Sequence, residues 1–179
     1  FIIEKSFMKN DFIVLAAGKG LRMTSKEPKV LQHLGGVPMA QHLLNTLSEI
    51  ENSRPIIVLG DQADKVRSSL RAPRNSKWVK QRKQIGTGNA VKTALSSLRR
   101  GSVVIVLYGD VPLVKTSTLK NLIKIASSES LAVLTFTKEN PKGYGRIIRG
   151  SKNQIEEIIE EKEATSKQIK LICKLPYRG

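Results

Sequence analysis

Continuous runs of apolar residues alternate along the chain with segments of mixed, helix-forming character. Three of the runs are rich in branched side chains: residues 12–17, 55–60 and 103–108. Such uninterrupted runs are typical of strands buried on both faces of a parallel sheet. Shorter runs begin at Trp78 and at Leu131. We predict a strand in each of these places, the last over residues 131–136.

Helical patterns fill the intervals between the predicted strands. Pro38 suits the first turn of one helix, because its missing N–H would have no partner there. Asp61 can cap a second helix that runs to about Leu70. We predict two more helices, over residues 89–100 and 117–126. This alternation favours an α/β fold with a mostly parallel sheet and helices on both faces.

The remaining segments carry weaker patterns. Residues 18–37 are rich in Gly, Lys and Pro and predict a long loop, which in a compact domain is usually functional or disordered. Residues 145–149 and 155–159 predict an antiparallel pair around a turn at 150–153.

Composition narrows the class of protein. The 179 residues suit one domain, or one domain with a small appendage. The single cysteine, Cys173, cannot form an internal disulfide, which favours a reducing compartment. No run approaches the roughly 20 apolar residues of a membrane span, and the first residues lack the pattern of a signal peptide. We therefore expect a cytoplasmic protein without a membrane partner.

The formal net charge of +16 predicts attraction to anions. Residues 65–83 contain eight Lys or Arg and no acidic residue, which indicates a solvated basic face or a polyanion-binding surface. Aromatic residues make up only 4% of the chain, so the stacking surfaces that single-stranded nucleic acids need are scarce. Nucleic-acid binding is the weakest of the functions that we consider.

Polar segments follow the predicted strands at the sheet edge where α/β proteins bind ligands. In the first, residues 15–29, small residues let the backbone approach phosphate, and Arg22 and Lys29 add positive charge. The phosphate-loop signature is absent, and Met23 stands where the dinucleotide fingerprint needs its third glycine. A plain turn remains the alternative.

Two further segments lie at the same edge. Gly86, Thr87 and Gly88 precede a predicted helix and would either bind a base or phosphate or simply cap the helix. Asp110 follows the most apolar strand, where a carboxylate suits Mg²⁺ or a turn. The two histidines lack further residues at zinc-ligand spacing, so we do not expect zinc.

Taken together, six segments resemble one family. They are LAAGKGLRM, PKVLQHLGGVPM, QRKQIGTGNAV, LYGDVPLV, GYGRIIR and EEIIEEKEAT, between about Phe12 and Thr165. They resemble the pyrophosphorylase domain of the bifunctional N-acetylglucosamine-1-phosphate uridyltransferase/glucosamine-1-phosphate acetyltransferases. The resemblance implies a Rossmann-like nucleotidyltransferase fold, incomplete at its C-terminus. It also implies synthesis of UDP-N-acetylglucosamine, a cell-wall precursor, and pyrophosphate from UTP and N-acetylglucosamine 1-phosphate.

The resemblance also assigns roles to residues. Arg22 and Lys29 would contact the reacting phosphates, and Asp110 would be one of two protein ligands of Mg²⁺. The substrate-binding residues would be Leu15, Ala16, Ala17, Gly18, Lys29, Gln81, Gly86, Thr87, Tyr108, Gly109, Asp110, Gly145 and Glu160. A sugar phosphate is already an anionic nucleophile, so positioning and charge neutralisation are required and a general base is not.

The chain departs from the family pattern in several places. Leu21 replaces the usual Thr or Ser, and Asn89 stands where His is common. After Thr165 the resemblance ends, and no asparagine aligns with the family's second Mg²⁺ ligand. We expect an N-terminal extension (1–11), a partial nucleotidyltransferase domain (12–165) and a divergent tail (166–179). Either the chain would then be a truncated fragment or degraded gene product, for example through a frame change near residue 166, or a separate chain would supply the missing part.

Three alternatives to this enzyme remain open. The chain could be a catalytically impaired remnant, a nucleotidyltransferase for another base or sugar, or a basic nucleic-acid-binding module. The resemblance also implies that full-length members of the family are homotrimers, through a domain that we expect to be absent from this chain.

Overall fold

The computed structural model describes residues 8–18, 27–83, 85–126, 131–166 and 168. They belong to two compact units, Phe1–Val133 and Leu134–Gly179. Within the described residues, no helix is long and apolar enough to cross a membrane. The predicted division of the chain after residues 11 and 165 stays a prediction.

The first unit contains helices α1 to α4 and most of the strands. Its strands are β1 (Asn10–Ala16), β2 (His33–Leu34), β3 (Val37–Pro38), β4 (Ser53–Leu59), β5 (Lys77–Lys80) and β6 (Val103–Tyr108). Its helices are α1 (Met39–Ser48), α2 (Ala63–Ser69), α3 (Thr87–Ala94) and α4 (Thr116–Ile125). A 3₁₀ turn spans Lys29–Leu31.

Four of these strands form a parallel sheet in the order β5-β4-β1-β6. Alternate side chains of β1 point to opposite faces of the sheet. Phe12 belongs to a core that includes Leu43 of α1 and Leu119 of α4, whereas Ile13 packs with Ala90 of α3. Helices therefore cover both faces of the sheet, and the predicted fold class is confirmed.

Strand β6 is less covered than its sequence predicts. Ile105 is buried, but Val104 and Val106 are each 41% exposed, and Tyr108 is 52% exposed. Helix α3 packs against β1, β4 and β5, so it leaves the outer face of β6 bare within the described residues. An uninterrupted apolar run thus predicted the strand correctly and its burial wrongly.

A buried ionic cluster joins the amino ends of the strands. Asp11 of β1 is fully buried. Its carboxylate accepts bonds from the Arg54 Nε at 3.1 Å and the Arg99 Nε at 2.8 Å. The Arg99 amide and the Ser102 hydroxyl also donate to it, at 2.7 and 3.0 Å. The cluster fixes β4 and the segment before β6 against β1.

This cluster explains why the predicted helix over 89–100 is too long. Helix α3 ends at Ala94, followed by a 3₁₀ turn over Leu95–Ser97, and Leu98 is extended. Both the amide and the side chain of Arg99 donate to Asp11, so Arg99 cannot continue a helix. The prediction for the start of α2 is also wrong. Helix α2 begins at Ala63 and its N-cap residue is Gln62, so Asp61 is not its cap residue.

The second unit contains β7 (Arg146–Arg149) and β8 (Ile155–Ile159), which pair antiparallel. This hairpin is as predicted. The predicted strand over residues 131–136 is wrong, because these residues have no regular structure, and Leu131 and Phe136 are 85% and 70% exposed. A strand needs a neighbour for its backbone hydrogen bonds, and no described segment pairs with this one.

Candidate active site

The candidate site lies at the carboxyl edge of the parallel sheet. The register aligns Ala16 of β1 with Leu59 of β4, Leu15 with Tyr108 of β6, and Leu59 with Lys80 of β5. The segments that follow these strands therefore emerge side by side. This is the edge at which open α/β sheets bind ligands.

Gly109 holds the end of β6 against β1. Its amide donates to the Leu15 carbonyl at 2.9 Å. A Cβ atom on Gly109 would lie 3.1 Å from both the Leu15 oxygen and the Val30 Cγ1. A residue without a side chain is therefore favoured here, and the close approach brings Asp110 next to the turn after β1.

Lys29 and Asp110 form an ion pair at this position. The Lys29 Nζ lies 2.6 Å from the Asp110 Oδ2, although the two residues are 81 positions apart. Lys29 starts the 3₁₀ turn after Pro28, whose backbone carbonyl accepts a bond from the Leu31 amide at 2.9 Å. Both side chains remain partly exposed, at 43% and 30%, and are therefore accessible to a ligand.

The turn after β1 offers a backbone surface beside this pair. Ala16 is buried, Leu15 and Ala17 are half-buried, and Gly18 is exposed. No described atom lies within 4 Å of the position that a Gly18 Cβ would take, so none of the described residues crowds this turn. Arg22, the other residue expected at the phosphates, lies outside the described residues.

Asp110 can supply one protein ligand to a magnesium ion at this edge. Asp110 offers the oxygen donors that Mg²⁺ prefers. The described residues contain no cluster of three or more acidic, His or Cys side chains that would hold a metal alone. Mg²⁺ commonly takes one or two carboxylates and completes its shell with water and substrate phosphates. A single carboxylate beside a phosphate-binding turn is compatible with that arrangement.

Gln81, Gly86 and Thr87 lie at the same edge, near the ends of β4 and β5. The Gln81 amide donates to the Leu59 carbonyl at 2.8 Å, and the Gln81 residue is only 4% exposed. Gly86 adopts a φ of 113°, which favours glycine, and precedes α3, which begins at the exposed Thr87. The start of α3 therefore directs backbone amides toward this edge.

Gly145 and Glu160 belong to the second unit. A Cβ on Gly145 would lie 3.3 Å from the Ile159 oxygen and 3.7 Å from the Glu160 Oε1. The two residues are therefore neighbours at one end of the β7–β8 hairpin. Nearby, the buried Arg146 forms an ion pair with Glu161 at 3.5 Å.

Sequence reasoning missed one polar contact of the site. The Gln81 Nε2 donates to the Asn89 Oδ1 at 2.9 Å. Asn89 stood out in the sequence only as a departure from a motif, and no periodic pattern connects it to Gln81. The Gly-rich turn between β5 and α3 was the one sequence feature that could have indicated this contact, since such a turn can fold the start of a helix back onto the end of the strand.

Replacing Gly109 by alanine tests the close approach of β6 and β1. We expect the free energy of unfolding to fall by about 1 kcal/mol, because the new methyl group meets a backbone oxygen and the Val30 side chain. Urea denaturation measures this change. Gly88→Ala is the matched control, because nothing lies within 4 Å of its Cβ position and alanine favours the helix. Equal stability of the two variants would contradict the packing described here.

Comparison with known proteins identifies the family of the chain. The MobA-like NTP transferase domain family matches residues 12–167. Bifunctional protein GlmU of Nitrosomonas eutropha is 45% identical over 162 residues, which cover 90% of this chain and 35% of that protein. Bifunctional protein GlmU of Cellvibrio japonicus is 41% identical over 165 residues, which cover 92% of this chain and 36% of that protein. The chain thus spans about a third of these relatives, and the predicted resemblance is confirmed.

Solved structures support the fold. HddC from Yersinia pseudotuberculosis, complexed with GMP-PN, superposes with a TM-score of 0.70 at 22% identity, over 93% of this chain and 80% of that one. A nucleotidyl transferase from Methanothermobacter thermautotroptrophicus gives a TM-score of 0.60 at 19% identity, over 78% and 65%. Because the family match spans most of its length, the chain belongs to the MobA-like NTP transferase domain family.

Proposed function

We propose that the chain joins UTP to N-acetylglucosamine 1-phosphate and releases UDP-N-acetylglucosamine and pyrophosphate. The observation that carries the proposal is the Lys29–Asp110 pair, 2.6 Å apart, beside the backbone turn after β1 at the carboxyl edge of a parallel sheet. Identity of 41–45% to GlmU proteins supports the choice of substrates. Since the chain covers only about a third of those proteins, their activity is a proposal for it.

The reaction requires one bond to form and one to break. A phosphate oxygen of the sugar phosphate attacks the α-phosphorus of UTP. The bond from that phosphorus to the oxygen bridging to the β-phosphorus breaks, and pyrophosphate leaves with the electron pair. The nucleophile is already deprotonated at neutral pH, so the protein has no proton to remove. Its task is to bring two anions together.

The residues at the sheet edge suit that task. The backbone of Leu15–Gly18 would donate to the triphosphate, and Lys29 and Arg22 would neutralise its charge. Mg²⁺ held by Asp110 would supply further positive charge at the reacting phosphates. Gln81, Gly86 and Thr87 would hold the base. Tyr108, Gly109, Asp110, Gly145 and Glu160 would bind the sugar side.

The net charge of +16 supports the same proposal, because a positive field raises the encounter rate with multiply charged anions. We further propose that the protein is cytoplasmic and supplies a cell-wall precursor, as the resemblance to the uridyltransferase family implies. We also propose that full-length relatives are homotrimers, as the resemblance implies.

Pyrophosphate release tests the function. The protein is mixed with UTP, N-acetylglucosamine 1-phosphate and Mg²⁺, and we expect release that depends on all three. UTP binding without release would favour the catalytically impaired alternative. Release with another nucleotide or sugar phosphate would assign the chain to a different member of the class. Steeply salt-dependent duplex binding that is indifferent to Asp110→Ala would favour a nucleic-acid-binding module.

A further inference from the structure

The side chain of Gln81 is a buried polar group at the proposed base site. The residue is 4% exposed, and its backbone amide is bound to Leu59 at the end of β4. A buried amide costs free energy unless its donors and acceptors find partners. Its partners therefore decide which end of the amide can face a ligand.

The nitrogen of this amide already has its partners. The Gln81 Nε2 donates to the Gly86 carbonyl at 3.3 Å and to the Asn89 Oδ1 at 2.9 Å. A carbonyl oxygen can only accept, so the Gly86 carbonyl disfavours the flipped orientation in which the Gln81 oxygen would face it, but at 3.3 Å this is the longer contact. The Asn89 contact, at 2.9 Å, is the shorter of the two and holds the amide more firmly in the same orientation.

The Gln81 oxygen is left to accept. Within the described residues, no donor bonds to the Gln81 Oε1. The fully buried side-chain atoms that lack a partner do not include this oxygen, so it is not sealed from solvent. It is therefore available to an N–H group of a ligand. A nucleobase with a ring N–H, such as uracil at N3, can donate to it. Cytosine presents a bare ring nitrogen at the same position and would place two acceptors face to face.

We infer that Asn89 is a positioning residue that sets the base preference of the site, by holding the Gln81 amide with its oxygen toward the base. The inference rests on the proposed function, because it requires a nucleotide base to lie against Gln81. It selects bases with a ring N–H over bases without one. Asn89 itself does not touch the nucleotide.

A purely structural role for Asn89 is the competing explanation. Asparagine commonly stabilises a helix at the N-cap position, but the N-cap residue of α3 is Gly86, Asn89 is the third residue of the helix, and no side chain caps it. The backbone carbonyl of Asn89 accepts from the Thr93 hydroxyl at 2.9 Å, a contact that any residue at 89 would keep. The side-chain oxygen is thus engaged with Gln81.

Two variants separate these roles. Asn89→Leu removes the acceptor at similar size, and Asn89→Asp keeps an acceptor oxygen in the same place. Dissociation constants for UTP and CTP, with Mg²⁺ present, are measured by calorimetry on each protein, beside the wild type. Thermal unfolding of each variant confirms that it is folded. The readout is the ratio of the two constants, which a general loss of stability leaves unchanged.

We expect the wild type to prefer UTP over CTP. In Asn89→Leu that preference should fall about fivefold, the effect of one ordinary hydrogen bond. Asn89→Asp should retain it, even if its added charge weakens both nucleotides alike. An unchanged preference for UTP in Asn89→Leu, or loss of that preference in Asn89→Asp, would overturn this inference and leave the proposed function intact. A wild type that binds neither triphosphate would overturn the proposed function as well.

Discussion

Replacing Asp11 by asparagine is expected to lower the free energy of unfolding by about 3–5 kcal/mol. Removal of one partner from a buried ion cluster costs this much because the remaining charges keep their desolvation penalty. Here the fully buried carboxylate pairs with Arg54 and Arg99, whose side chains are only 15% and 26% exposed. The corresponding fall in the melting temperature is about 10 °C for a chain of this size.

Acid should weaken the same cluster. Burial raises the pKa of the Asp11 carboxyl, but bonds from the Arg99 amide, the Arg54 guanidinium and the Ser102 hydroxyl outweigh it and hold the pKa below its ordinary value. A depressed carboxyl pKa contributes stability that is present above about pH 4 and lost as the pH falls through the folded-state value. Asp11→Asn should lack this part of the acid dependence.

Urea denaturation at neutral pH and at pH 3 measures both effects. The matched control is Asp64→Asn, which removes an exposed carboxylate from the first turn of α2 and should cost less than about 1 kcal/mol. If Asp11→Asn were as stable as this control at neutral pH, the cluster would not fasten the strands in the way described.

The second large effect is expected at Asp110. Asp110→Asn should reduce pyrophosphate release at least about 100-fold, the range found when one preorganised charge interaction is removed from a reaction site. It should also abolish the increase in UTP affinity that Mg²⁺ produces, because asparagine is a weaker ligand for a hard cation. Turnover assays and UTP titrations with and without Mg²⁺ measure the two quantities.

Folding should be nearly unaffected by this substitution. The Lys29–Asp110 pair is partly exposed, and such pairs contribute about 0–1 kcal/mol. Asp64→Asn again provides the control, with turnover and metal dependence expected to equal those of the wild type. An Asp110→Asn protein with normal Mg²⁺-dependent turnover would remove Asp110 from the mechanism.

The parallel sheet could be predicted from the sequence because burial on both faces leaves a visible mark. Residues 12–17, 55–60 and 103–108 are largely apolar runs, and each overlaps a strand of the sheet. Residues 131–136 carry the same mark without forming a strand, since hydrogen-bonded pairing depends on a neighbouring segment and not on local composition. The exposure of one face of β6 could not be predicted for a similar reason, because burial of that face depends on where α3 packs in the folded chain.

Side-chain partners from distant parts of the chain were harder to predict. The proximity of the first turn to Asp110 followed from the rule that parallel strands end at one edge. The direct Lys29–Asp110 bond depends on the path of the chain after Pro28, which composition does not determine. The partners of Asp11 and the contact of Gln81 with Asn89 likewise depend on tertiary approach between residues that no periodicity relates.

The central claim is that a triphosphate and a divalent cation share the sheet edge formed by the turn after β1, Lys29 and Asp110. A crystal structure with UTP and Mn²⁺, in which Mn²⁺ is located by its anomalous scattering, tests it most directly. The account predicts Mn²⁺ coordinated by the Asp110 carboxylate and phosphate oxygens, with the phosphates on the backbone of residues 15–18. Metal and nucleotide bound elsewhere on the molecule, with the Lys29–Asp110 pair intact, would contradict it.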